Sequence, residues 1–484
     1  MLPLLKAPVG DRPGDAVTRT KHLRTKATAE SRMEKGIVLL LISVLRSIAA
    51  GFSAMIVCSQ LVCGQQVPDG AVSDLDVLVR QKRYIELEHD LSATHGLSIS
   101  ERAFFAGILA NRRNHVSDSI RLLEPLARTL LQGPMNHAEL AFCSLADDYA
   151  KSFRYGDAAD TYSVLSHLPG YQEDESGCHA ELEAERWGSL RQAPAQITTV
   201  SGPFTVDENR TSAGFLEVTV QAPNFSDRWI LDTGANLSAV TRTVADQLGL
   251  KLSVASSTAQ GSNGIFVRVH TAVIPKIQLG GATIRNVAVL VFEDNDLAFP
   301  QIPYQIHGSI GFPVLESLGR ITFHADGRFG VEEAPSTAET GRTKLYLERF
   351  TILLHARIAG EEHLLTLDTG ATDTFLSEHY YQQHKQDFRA SDLRELELIG
   401  AGGSKIMRTY VLHNVPLRMG GGCVALRDLA VLTEPTGLPD EFSGNVGQSV
   451  VGLFRSYTLD FHTMTFSVQD PATAGKENGG CVDV

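Results

Sequence analysis

The chain has 484 residues, 43% hydrophobic and 20% charged, with 43 Lys+Arg against 56 Asp+Glu. At roughly 100–200 residues per domain this is chain for about three domains, and its apolar content excludes a wholly disordered protein. The net charge of -13 argues against nucleic-acid binding by electrostatics alone.

Residues 1–35 are polar and basic, and are predicted to be disordered or a mis-assigned extension ahead of Met33. Residues 36–64 carry an apolar run from Ile37 to Leu45, interrupted by Arg46, resumed from Ile48 to Val57 and closed by Val62-Cys63-Gly64. A basic start, an apolar stretch and small residues at its end have the order of a signal peptide. An uncleaved membrane anchor is the competing reading, with Arg46 costly at mid-span; a buried helix is the third. Export to a periplasmic or extracellular compartment, cleaved or membrane-anchored, is the expectation. The 6 cysteines form no close Cys-x-x-Cys pair, and the 16 histidines include no His-Glu-x-x-His, so no metal site is expected. In an oxidising compartment the cysteines would pair, in an order the sequence leaves open.

From residue 70 to 195 the apolar spacing is helical. A pattern recurs in it: Ala106-Gly107, Ala110, Val116, Ser119 and Leu123 are spaced like Leu145-Ala146, Tyr149, Tyr155, Ala158 and Tyr162, with a weaker copy at Tyr84, Leu87 and Leu91. Small residues at a helix crossing with large ones in the adjoining groove resemble tetratricopeptide-like helical hairpins, although the copies depart from a strict repeat of about 34 residues. An ordinary helical bundle is the alternative. Either way this segment carries no catalytic constellation, and its expected work is contact with a protein partner or with the rest of the chain.

Past Gln192 the texture turns to short runs rich in Val, Ile, Thr and Phe, punctuated by Gly, Asn and Pro, which reads as β-strands. The strongest signal here is an internal repeat, predicted to form two all-β lobes at 203–335 and 344–470, followed by a flexible tail at 471–484. Phe215 to Val220 leads to Trp229-Ile230-Leu231-Asp232-Thr233-Gly234-Ala235; Phe350 to Ile358 leads to Leu364-Leu365-Thr366-Leu367-Asp368-Thr369-Gly370-Ala371. A Gly-rich loop follows in each half, Gly261-Ser262-Asn263-Gly264 and Gly400-Ala401-Gly402-Gly403. Then come Leu279-Gly280-Gly281 and Met419-Gly420-Gly421, and an apolar-Gly step predicted at Ser309-Ile310-Gly311 and Val450-Val451-Gly452.

This order of motifs resembles the retropepsin-like aspartic proteases, in which each lobe supplies one aspartate, over more than half of the chain. The resemblance implies an acid-protease barrel in each lobe and a catalytic pair made of Asp232 and Asp368. Thr233, Gly234, Ala235, Thr369, Gly370 and Ala371 would support the two loops, the threonine hydroxyls cross-bracing them. Gly261, Gly264, Gly400 and Gly403 would belong to flaps that bind substrate. Two carboxyls held about 3 Å apart cannot both ionise, so they share a proton and can act as base and acid in peptide hydrolysis; aspartic proteases are the standard instance. No metal or cofactor is implied. The expected substrate is a polypeptide, and the expected state a monomer through pairing of its own lobes. A catalytically silent peptide-binding or scaffold protein is the alternative, and a larger assembly in which each lobe pairs with another chain is a third. Asn236 and Thr372 stand where retroviral enzymes continue with Asp, and the first flap-like loop has no tyrosine. Gly447-Gln448-Ser449 misses a nucleophile elbow by the place of its second glycine.

Overall fold

The computed structural model describes residues 69–173, 177–299, 304–333, 341–389, 392–436 and 442–469. The segments 1–35, 36–64 and 471–484 lie outside the described residues. Among the described residues no helix is long and apolar enough to cross a membrane.

The amino-terminal part is helical: Asp69–Arg80, Tyr84–Ala93, Ile99–Arg112, Val116–Leu123, Ala127–Leu130, Met135–Lys151, Tyr155–Ser166 and Ala180–Ser189. Ser98 starts one helix with a capping box, its hydroxyl accepting from the Glu101 amide while the Glu101 carboxylate accepts from the Ser98 amide. Three helical hairpins share one turn. Lys82, Asn114 and Phe153 each adopt a left-handed backbone (φ 54, 57 and 60°) in the middle of a three-residue connection. In each, the next amide bonds back into the preceding helix: Arg83 to Leu78, His115 to Ala110 and Arg154 to Tyr149, at 2.8–2.9 Å. The helices of a hairpin approach closely through small residues. A β-carbon on Gly107 would sit 2.6 Å from the Leu123 side chain. Cys143 and Cys178 form a disulfide that ties the helix Met135–Lys151 to the segment before the helix Ala180–Ser189.

Beyond residue 196 the chain is β-rich, and the same strand ring appears twice. In the first half, Phe266–Leu279 pairs Ala282–Phe292, and the ring continues through Ser238–Thr241, Gly308–Ile310, Phe225–Leu231 and Leu216–Ala222, which returns to Phe266–Leu279. In the second, Gly403–Met419 pairs Gly422–Leu432, and the ring runs through Phe375–Leu376, Gly444–Val446, Glu361–Leu367 and Thr351–Ile358 back to Gly403–Met419. Closure removes free edges from each ring and leaves an apolar interior; Val218, Leu231, Ile277 and Val289 fill the first, and Leu354, Leu367, Leu417 and Val431 the second. A six-strand array joins the halves, in the order Thr343–Glu348, Thr465–Gln469, Ser456–Asp460, Arg320–His324, Arg328–Glu332, Phe204–Asp207. At its centre Thr322 opposes Thr458, with their hydroxyls 2.9 Å apart.

One sequence expectation is corrected here. The strand that pairs parallel with the Asp232-bearing strand places Ile310 beside Leu231. Its counterpart places Val446, not Val451, beside Leu367. The step equivalent to Ile310-Gly311 is therefore Val446-Gly447, and Val450 and Val451 belong to the short helix Gln448–Val451. Both patterns satisfy apolar-Gly; parallel pairing with a strand far away in sequence selects between them. The assignment gives this step the offset shared by the aspartate loops and the central ladder. The 136 residues separating Thr233 from Thr369 and Thr322 from Thr458 also separate Gly311 from Gly447.

The helical part is seated on the second half by charge. Glu348 accepts from Tyr84 (2.8 Å) and pairs with Lys82 (3.0 Å) and Arg112 (3.2 Å). Arg113 donates to the carbonyls of Leu345, Thr463 and Met464 at 2.9–3.2 Å. Asn114, from the turn of the second helical hairpin, reaches the first half instead, donating to Glu316 at 3.0 Å.

Candidate active site

Both aspartates leave the carboxyl ends of buried strands. Trp229, Ile230 and Leu231 precede Asp232; Leu365, Thr366 and Leu367 precede Asp368, all of them buried. The Asp232 amide donates to Ile310 and the Asp368 amide to Val446, each at 3.0 Å, so each loop begins pinned to the parallel strand beside it.

The two loops interlock. The Thr233 amide donates to the Thr369 hydroxyl and the Thr369 amide to the Thr233 hydroxyl, both at 3.0 Å. Each hydroxyl in turn donates across to the strand before the other aspartate, Thr233 to Leu367 (3.0 Å) and Thr369 to Leu231 (2.8 Å). Both threonines are fully buried, and this reciprocal set satisfies their amides and hydroxyls where water cannot reach.

Held in this way, the carboxyls of Asp232 and Asp368 face each other across the loops, each set against the glycine that follows the other aspartate. The Gly234 amide donates to Asp232 Oδ1 at 3.0 Å, and the amides of Gly370 and Ala371 donate to Asp368 Oδ1 at 2.8 and 3.1 Å. Ala235 and Ala371 close the loops with their carbonyls, which accept from the amides of Phe312 and Gln448 at 2.9 Å. Both aspartates are half-buried, packed on most sides while keeping contact with solvent. Asp232 is pushed well above the ordinary aspartate range, by burial first and then by the charge of Asp368, against the pull of the Gly234 and Ala235 amides. Asp368 is also raised by burial, moderated by the Gly370 and Ala371 amides and by Asp232. The direction is the same for both, so the pair keeps a proton where isolated aspartates would have lost theirs.

The glycine-rich loops are hairpin tips. Ser257–Gln260 and the start of Phe266–Leu279 flank the first; Arg394–Gly400 and the start of Gly403–Met419 flank the second. Gly264 and Gly403 take φ of 81 and 127°, which a side chain would resist. The tips touch. Asn263, fully buried, donates from Nδ2 to the Gly403 carbonyl at 2.8 Å and accepts at Oδ1 from the Ile265 amide at 3.0 Å. Gly261 and Gly400 lie at the crossing, where a β-carbon would meet the Ala401 carbonyl at 2.6 Å or the Ser262 hydroxyl at 2.9 Å. Under the first hairpin Ala239, on the strand leaving the Asp232 loop, clusters with Ala259, Val267, Val269 and Ala401 of the opposite tip. Under the second, Phe375 clusters with Met407, Leu396 and Leu398. Each hairpin thus packs against the strand that leaves an aspartate loop.

Two residues of this region carry contacts that no sequence pattern marks. Asn263 sits in an Asn-Gly pair, a turn signal, but its bond to the other hairpin is not local. Gln448 follows the Val446-Gly447 step; its Nε2 donates to the Thr369 carbonyl at 3.0 Å and to the Tyr457 hydroxyl at 3.2 Å. Among the described residues no group of His, Cys, Asp and Glu could hold a metal ion.

Comparisons with known proteins bear on the same region. Residues 218–314, which include Asp232 and Gly311, match the family model described as Aspartyl protease. A solved structure described as a retropepsin-like aspartic protease from Rickettsia conorii is similar at 15% identity over 28% of this chain and 94% of that chain, with a TM-score of 0.20. Comparison with curated proteins finds no match.

Proposed function

We propose that the chain is an aspartic endopeptidase with two retropepsin-like lobes, Asp232 supplied by one and Asp368 by the other. The observation that carries this reading is the reciprocal Thr233–Thr369 bonding, which presents two half-buried carboxyls to each other. In this reading a water molecule sits between the carboxyls and the peptide lies extended in the cleft beside the hairpins, its backbone bonding like an added strand. The ionised carboxyl takes a proton from the water as its oxygen attacks the scissile carbonyl carbon. The protonated carboxyl gives its proton to the carbonyl oxygen, forming a tetrahedral diol. Collapse passes a proton to the amide nitrogen as the C–N bond breaks, leaving an amine, a carboxylic acid and a singly protonated pair.

The repeated strand ring and the ladder joining the halves within one chain favour a monomer. The helical region is proposed as a tetratricopeptide-like domain; three hairpins with one turn geometry support it. Export is proposed from the order of residues 36–64, and the Cys143–Cys178 disulfide suits an oxidising compartment.

The test is cleavage of a peptide library across pH by the full chain, alongside Asp232→Asn and Asp368→Asn. Cleavage that both substitutions abolish is expected. Cleavage that survives either one overturns the dyad, and a wild-type chain that binds peptides without cutting them establishes the silent alternative.

A further inference from the structure

The helix Ala180–Ser189 touches the β region on two sides. On one side Glu183, 4% exposed, accepts from Arg349 at 3.2 Å, and Arg349 also reaches the Cys178 carbonyl at 3.4 Å. On the other, Arg186 donates to the Thr258 carbonyl at 2.9 Å, and the Ser189 hydroxyl shares a hydrogen bond with the Thr271 hydroxyl at 2.8 Å. Glu183 and Arg186 pair with each other. A continuous chain of contacts therefore runs from Arg349 in the second half, through one helix, to Thr258 in the first hairpin. The disulfide at Cys178 secures the segment from which that helix starts.

Thr258 lies on Ser257–Gln260, the outermost strand of its sheet. An outermost strand offers unpaired backbone groups, and here a buried guanidinium occupies one of them. Ser257 and Ala259 on the same strand are buried. The corresponding outer strand of the second hairpin, Arg394–Gly400, has no fully buried residue. That hairpin meets the first half at its tip, through Asn263 to Gly403 and through the Gly402 amide to the Asp296 carbonyl at 2.9 Å. Lifting the second hairpin breaks its tip bonds and parts Leu396, Leu398 and Met407 from Phe375, but strands no charged group. Lifting the first would uncover a packed strand and leave the Arg186 guanidinium buried with a lost acceptor, the more expensive change.

We propose that Arg186 is a positioning residue that clamps the first hairpin to the helical domain, so that a peptide enters by displacing the second hairpin alone. The proposal rests on the reading of the cleft as a peptide-binding site. It gives the helical domain a role within the enzyme itself, setting the position of one wall of the cleft.

Hydrogen exchange on the full chain and on Asp232→Asn tests it, since exchange needs no turnover. Amides of 257–269 should exchange on average about tenfold more slowly than those of 394–408 in both proteins. Arg186→Met should abolish that contrast by speeding 257–269, raise KM for a cleaved peptide several-fold and leave kcat within about twofold; Arg186→Lys should restore part of each. Equal exchange in the two wild-type hairpins, no response to Arg186→Met, or a fall in kcat at constant KM overturns the proposal. If Arg186→Met does not fold, Ser189→Ala should produce the same pattern at smaller amplitude, and no change in 257–269 then overturns it. A wild-type chain that cuts no peptide sinks the peptidase reading instead, and the exchange contrast still reports on the clamp.

Discussion

Gly234 faces the carboxyl of Asp368 so closely that a β-carbon there would lie 2.5 Å from Cγ; Gly370 stands in the same relation to Asp232. Neither position tolerates even a methyl group without parting the two carboxyls. Gly234→Ala and Gly370→Ala should each lower kcat for peptide cleavage by at least about a hundredfold, equivalent to about 3 kcal/mol of lost transition-state stabilisation. Kinetics beside a thermal melt check this. A substitution that leaves cleavage intact would show that the carboxyls need not face each other.

Thr369 holds two bonds across the pair of loops, accepting from the Thr233 amide and donating to the Leu231 carbonyl. Thr369→Val keeps the shape and orphans both buried partners, at a cost of about 1–3 kcal/mol for each. The urea midpoint should fall accordingly, and Thr369→Ser, which retains the hydroxyl, should recover most of the loss. Equal midpoints for the valine and serine variants would refute the cross-brace.

The helical region and the strand Thr343–Glu348 that it docks on respond to pH in two opposite windows. Burial alone would raise Glu348, but the charges of Arg112 and Lys82, with hydrogen bonds from Lys82 and Tyr84, bring it down to about 2. A lowered carboxyl contributes stability above its ordinary 4.5 and loses it as pH falls through 2. Burial raises Asp147 to about 6 and Asp148 to about 7. Their contribution is complete below their ordinary 3.8 and is lost as pH rises through 6 and 7. Denaturant midpoints against pH should therefore decline towards pH 8 in the wild type and decline less in Asp148→Asn. Glu348→Gln should be the weaker protein at pH 7 and converge on the wild type near pH 2. Parallel curves for Asp148→Asn and the wild type would remove Asp148 from this account.

Asn263 is the side chain through which the hairpin tips meet. Asn263→Ala removes a buried bond worth about 1 kcal/mol, so kcat/KM should fall by about five- to tenfold while the melting temperature moves little. An unchanged kcat/KM would mean that the tips need not meet for the reaction.

The Cys143–Cys178 disulfide spans 35 residues, for which loop-closure entropy gives about 3–4 kcal/mol. A Cys143→Ser/Cys178→Ser double variant should unfold earlier in urea by that measure, with loss of signal from the helical region first. A midpoint equal to that of the wild type would assign the bond no stabilising role.

Local features were legible in the sequence and tertiary choices were not. The strands before Asp232 and Asp368, the glycine-rich tips and the helical spacing of 70–195 are written in periodicity and turn residues. The glycine step of the second half is ambiguous in the sequence because Val446-Gly447 and Val451-Gly452 look alike; the partner strand Glu361–Leu367 distinguishes them. The helical turns were invisible for a different reason. Lys82 and Phe153 take the left-handed conformation that glycine or asparagine ordinarily marks, supported by bonds into the preceding helix. The contact of Arg186 with Thr258 depends on the docking of two regions, which no local pattern encodes.

The ladder centred on Thr322 and Thr458 keeps its register when its two strands change places: Arg320 opposes Asp460 and His324 opposes Ser456. Two identical subunits related by a rotation axis could form such a ladder, but every departure from symmetry in one would then be imposed on the other. On a single chain that constraint is lifted. Ala239 and Phe375 can differ at matched positions, as can Phe312 and Gln448, and one hairpin can carry a tether to the helical region that the other need not copy. A peptide has direction, and a cleft with inequivalent walls can read that direction where a symmetric one would accept either orientation.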